Sequence, residues 1–118
     1  MRYMLLIYGD ETALSQPERE KCYQESASLA HEIDAAGQFL ATAPLQPTAM
    51  ATSVRVRDGK RLVTDGPFAE TREQLGGYYL IDAPDLDAAI SIAARIPGAR
   101  WGTVEVRPVI EIAGLPNG

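Results

Sequence analysis

Two short segments, Tyr3-Met4-Leu5-Leu6-Ile7-Tyr8 and Tyr78-Tyr79-Leu80-Ile81, are apolar or aromatic at every position. Successive strand residues point to opposite faces of a sheet, so strands of this composition need cover on both sides. The chain has 118 residues, the usual size of one domain with one core. Helices from the same chain can cover one face of such a sheet. The other face then needs a further layer that so short a chain does not have to spare.

Ser15-Gln16-Pro17-Glu18 has the Ser-x-x-Glu spacing of a capping box and predicts a helix start, with Pro17 harmless in the first turn. Cys22, Ser26, Leu29, Ile33 and Ala36 recur every three or four residues and form one buried stripe. Gly37 stands where a left-handed C-terminal cap is wanted. A second helix is predicted after Asp85 as N-cap, buried through Leu86, Ala89, Ile90, Ala93 and Ile96, and stopped by Pro97-Gly98.

The segment 38–45 reads as an edge strand, because Pro44 and Pro47 do not suit the interior of a central one. Asp58-Gly59 between Ser-Val-Arg-Val-Arg and Lys-Arg-Leu-Val-Thr is a strong hairpin signal, since a two-residue I′ turn needs positive φ at both positions. That register opposes Val54 to Val63, Val56 to Arg61 and Arg55 to Leu62, which predicts a partly exposed arm of mixed faces. A last strand alternates Val104 and Val106 with Thr103, Glu105 and Arg107 and can run towards Ile110. One domain over residues 1–112 and a frayed tail over 113–118 are expected.

Strand, helix, strand, hairpin, strand, helix, strand is a split βαβ order with an inserted hairpin, as in ferredoxin-like α+β folds. Both helices then cover one sheet face. The helix-free face is expected to meet a second copy in a homodimer, burying about 800 Å² or more per partner.

Charge and composition narrow the partners. A net charge of −5 opposes attraction to phosphate backbones and anionic membranes, so no nucleic-acid or membrane partner is expected. No apolar run approaches the ~20 residues of a spanning helix, and the first apolar run ends at Gly9-Asp10, so it reads as a strand rather than a leader. The single cysteine, Cys22, fits a reducing cytoplasm and excludes an internal disulfide. One histidine and one cysteine do not make a metal cluster, and neither metal nor cofactor is expected.

The run Thr64-Asp65-Gly66-Pro67-Phe68-Ala69-Glu70-Thr71-Arg72-Glu73-Gln74-Leu75-Gly76-Gly77-Tyr78-Tyr79-Leu80-Ile81 resembles the signature of the DGPF branch of the YCII-related family. The resemblance extends to Tyr3–Tyr8, to the arm Val54-Arg55-Val56-Arg57-Asp58-Gly59 and to Thr103-Val104-Glu105-Val106-Arg107-Pro108. It implies a dimeric α+β barrel with two ferredoxin-like sheets face to face and a cleft at or near the interface. Some YCII-related proteins resemble enzymes with a His and Asp pair for acid/base work, whereas the DGPF branch is associated with extracytoplasmic-function sigma factors. At the place of that histidine this chain has Glu25-Ser26-Ala27. Its only histidine, His31, lies roughly 200° around the helix from both Leu29 and Ile33 and points away from their stripe.

Candidate ligand-binding residues are Tyr8, Asp65, Gly66, Phe68, Glu70 and Tyr78. Asp65 and Glu70 offer carboxylates, which divide acid and base roles when their surroundings differ, and Phe68 offers an apolar wall. Turn chemistry alone explains Asp65-Gly66-Pro67 and is the favoured reading, while Asp65 is expected to be partly buried beside the cleft, accepting backbone hydrogen bonds as Pro67 aims Phe68 into an apolar wall. Tyr8 and Tyr78 can present hydroxyls to a cleft or simply pack. Cys22 reads as a small apolar filler, and Trp101 as a core or interface anchor. Two functions fit: a small-molecule binding protein or cofactor-free enzyme using the interface cleft, or a non-catalytic regulatory protein linked to sigma-factor-dependent transcription. No catalytic residue is assigned and no substrate is implied.

Overall fold

The computed structural model describes residues 1–116. The strands are β1 (Arg2–Gly9), β2 (Phe39–Pro44), β3 (Thr52–Arg57), β4 (Lys60–Asp65), β5 (Gln74–Asp82) and β6 (Thr103–Pro108), and the helices are α1 (Gln16–Ala35) and α2 (Leu86–Arg95). Four strands form one sheet in the order β2-β5-β1-β6, each antiparallel to its neighbours. The two doubly apolar segments, β1 and β5, are its central strands. β2, with its terminal proline, is an edge.

Alternation along the strands splits the sheet into two unequal faces. Tyr3, Leu5, Tyr79 and Ile81 are buried against Leu29 and Ile33 of α1 and Ala89, Ile92 and Ala93 of α2, with Ile7, Val104 and Val106 packed at the margin. Cross-strand register brings Leu5 to Tyr79 and Tyr3 to Ile81 on this helix side. The opposite side carries Met4, Leu6, Tyr8, Tyr78 and Leu80, all only half-buried. Among the described residues no helix packs there, so the central strands keep an uncovered apolar side in the single protomer.

Helix α1 begins and ends as its sequence predicts. The Ser15 hydroxyl accepts from the Glu18 amide at 3.3 Å while the Glu18 carboxylate accepts from the Ser15 amide at 2.9 Å. At the other end the Gly37 amide donates to Asp34 and the Gln38 amide to Ile33, both at 2.9 Å. Those two bonds, with Gly37 at φ 74, form a Schellman cap. The Tyr79 hydroxyl reaches across from the sheet to donate to the Ser26 carbonyl at 2.5 Å. Burial holds that phenol above its usual pKa, partly offset by its hydrogen bonds.

Helix α2 is rotated from its predicted phase. Ala89, Ala93 and Ile96 are buried, but so is Ile92, while Leu86 and Ile90 are about half exposed. The helix is apolar on too much of its surface for spacing alone to fix its inner face. The small pair Ala89 and Ala93 lies against the sheet, and the bulkier Leu86 and Ile90 turn outward. The strand predicted over 38–45 occupies Phe39–Pro44, and the last strand stops at Pro108 rather than Ile110. The hairpin β3–β4 turns at Asp58-Gly59, with Asp58 at φ 50, and pairs Val54 with Val63, Arg55 with Leu62 and Val56 with Arg61. Residues 113–116 of the expected tail are exposed, and Asn117 and Gly118 lie outside the described residues.

Candidate functional site

At the end of the sheet where β1 leaves for α1, a cavity of about 570 Å³ opens between the sheet and the first half of α1. Its floor is Ile7, Tyr8 and Gly76 of the central strands. Gly76 is the extra residue of a bulge, because Ile7 opposes Gly77 while Tyr8 opposes Leu75. A bulge bends its strand and breaks the ladder locally, which is what allows the sheet end to open here. The walls are the loop Gly9–Leu14, the α1 residues Arg19, Glu20, Cys22 and Tyr23, the segment 44–47, and Gly98, Trp101 and Gly102.

Two contacts hold those walls in place. The Glu11 carboxylate accepts from the Thr48 amide at 2.7 Å and from the Thr48 hydroxyl, tying the β1–α1 loop to the short helical turn after β2. Gly102 lies so close to β1 that a Cβ there would fall 2.0 Å from the Tyr8 carbonyl oxygen. Only glycine permits this approach, and it sets Trp101 at the cavity wall rather than in the core, half exposed. The lining includes three carboxylates, Asp10, Glu11 and Glu20, and one cation, Arg19. Its volume lies within the range of small-molecule sites, and its lining mixes apolar and charged side chains around an open mouth.

Tyr8 also borders a shallow groove at the adjoining end of the helix-free face, with Thr71, Arg72, Glu73, Thr103 and Glu105. Its hydroxyl donates to Glu105 Oε1 at 3.4 Å, and Thr103 donates to Glu73 Oε1 at 2.9 Å. Loss of hydration and the Glu105 carboxylate hold the Tyr8 phenol above its ordinary pKa. At neutral pH it is a proton donor, not a phenolate. Asp10 is held below the carboxylate range, first by hydrogen bonds from the Thr12 side chain and amide and then by Arg72, whose Nε lies 3.8 Å away.

Of the six candidate ligand-binding residues, Tyr8 alone lines these spaces. Tyr78 lies on the helix-free face opposite Leu6 and Ala43. Asp65 is exposed at the end of β4, so the partial burial expected for it is not present in the single chain. Gly66, at φ 104, donates to the Ala51 carbonyl and accepts from the Ser53 hydroxyl, both at 2.8 Å, which closes the base of the arm. Phe68 is 79% exposed and lies under the Arg55 guanidinium, 5.3 Å from its ring centre. Glu70 is exposed beyond it. Pro67 therefore directs Phe68 towards the arm rather than into a cavity wall.

Sequence reasoning missed Asp10, Glu11, Arg19, Tyr23 and Trp101 as lining residues. Gly9-Asp10 after an apolar strand, and glycines at 76, 98 and 102, were the available signals, but only the sheet order brings them together. Cys22, read as a filler, lines the cavity and is half-buried. It makes no dyad with His31. Nine residues along α1 separate the two by roughly 13 Å, and His31 is exposed on the side away from the core.

A family model for the YCII-related domain matches residues 1–113. The chain is also 40% identical over 114 residues to an uncharacterized protein of Rhizobium meliloti (strain 1021), with 92% of each chain covered.

Proposed function

Because the chain belongs to the YCII-related family, we propose that it is a small-molecule binding protein of the DGPF branch, acting as a cytoplasmic homodimer. The observation that carries this reading is the cavity of about 570 Å³, walled by separate segments and held open by a bulge and by Gly102; it lies on the helix side of the sheet and not in the interface cleft expected from the sequence. The strand order β2-β5-β1-β6 with both helices on one face supports a ferredoxin-like protomer. The half-buried Met4, Leu6, Tyr78 and Leu80 support a dimeric barrel closed across the helix-free face. If chemistry takes place without a cofactor, Tyr8 and Glu105 are a pair able to donate and accept a proton, but they face the groove on the helix-free side of the sheet and not the cavity. The regulatory reading, coupled to a sigma factor, rests on the resemblance of the DGPF segment alone.

A thermal-shift screen of small, largely apolar compounds tests the binding reading. A binder present at 100 times its Kd stabilises the folded state by about 2.7 kcal/mol. Compounds are expected to raise Tm in the wild type and to lose that effect in Cys22→Phe, which fills the cavity. Shifts unchanged in Cys22→Phe but lost in Asp65→Asn would move the site to the loop after β4.

A further inference from the structure

The hairpin β3–β4 stands off the four-stranded sheet as a separate two-stranded unit. Directly opposed residues of an antiparallel pair share a face, so the register sorts the arm into two unlike sides. One carries Val54, Val56 and Val63 with Arg61, and the other carries Arg55, Arg57, Lys60 and Leu62. The three valines are 57 to 62% exposed. An isolated hairpin is marginal in water, and a row of bare valines on it invites association. Phe68, stacked on Arg55, belongs to the cationic side and leaves the valine side uncovered.

We propose that the valine side of this arm docks on a second copy of the chain, in the groove beside Tyr8, with Arg61 directed at Glu73 and Glu105. Charge selects a copy of the same chain as the occupant. Residues 52–65 hold four cations and two acids, net +2, within a chain of −5, so the remainder carries −7. Arg61 and Asp65 are the charged residues on the valine side, and Arg61 is the one near the tip. The groove offers a matching surface: the Tyr8 ring and the methyl groups of Thr71 and Thr103 for the valines, and for the guanidinium the carboxylates of Glu73 and Glu105, which outnumber the one cation of the lining, Arg72, itself turned to Asp10. Strands of six residues reach about 20 Å, enough to cross a four-stranded sheet. Two-fold exchange would place one arm in each groove, bringing the partner's Arg61 next to the Tyr8–Glu105 pair.

This inference rests on the homodimer reading, and sedimentation equilibrium separates the two. Wild type is expected to be a dimer, Val56→Asp and Arg61→Glu to dissociate at least tenfold more readily at low salt, and Glu105→Arg to restore dimerisation to Arg61→Glu. Circular dichroism checks that each variant keeps its fold, and Arg61→Glu, a surface change, keeps the test open if Val56→Asp does not. Dimers of wild-type strength in both arm variants would overturn the arm contact while leaving the homodimer standing. A monomeric wild type would overturn both.

Discussion

Gly102 bears the tightest steric constraint at the site. Its missing Cβ leaves room for the Tyr8 carbonyl oxygen, a backbone atom that cannot step aside. Gly102→Ala should therefore cost at least about 2 kcal/mol in urea unfolding, the scale of overpacking with a backbone shift. The wild-type stability in that variant would show the approach of β6 to β1 to be looser than described. His31 is the contrasting case, exposed on α1. His31→Ala is expected to change stability by no more than ~0.5 kcal/mol. That exposure was legible from helical phase alone, because Leu29 and Ile33 mark the inner face and His31 lies between them on the turn. Trp101 was not legible in the same way. Its half-exposed place at a cavity wall depends on Gly98 and Gly102 meeting β1, a contact between residues some 90 positions apart in sequence.

The two helices show where local pattern suffices and where it fails. Helix α1 has polar flanks, a capping box and a glycine stop, and its limits follow from short-range hydrogen bonds. Ser15→Ala should cost about 1 kcal/mol. Glu18 lies below its ordinary pKa because the Ser15 amide and hydroxyl favour its charged form. A carboxylate depressed in the folded state lends stability above its unfolded pKa and loses it as pH falls through the folded value. Glu18→Gln should accordingly flatten the acid limb of the stability profile below about pH 4. An acid limb unchanged in this variant would place that titration elsewhere. In α2 the apolar residues spread around the helix, and tertiary packing of Ala89, Ile92 and Ala93 decides which of them turn inward. The hairpin register was readable because Asp58-Gly59 fixes it locally. The role of the loop after it was not, since Asp65 and Phe68 are placed by the arm rather than by a cleft.

At the scale of the whole molecule the chain is flat and extended. Its extents are 46 × 43 × 21 Å and its radius of gyration is 16.0 Å, against about 13 Å for a compact domain of this length. The arm and the uncovered sheet face account for that spread, and both are surfaces that a second copy would cover. Doubly apolar β1 and β5 made the missing layer visible in the sequence. The cavity was not visible, because five separated segments build it and no one of them carries a motif. The binding site itself is tested most directly by amide chemical-shift mapping, titrating isotope-labelled protein with the strongest compound from the thermal screen. The expected shifts cluster at residues 9–14, at Cys22 and Tyr23, and at residues 98–102, around the cavity. Shifts confined to residues 65–70, with the cavity amides unmoved, would contradict the proposed site.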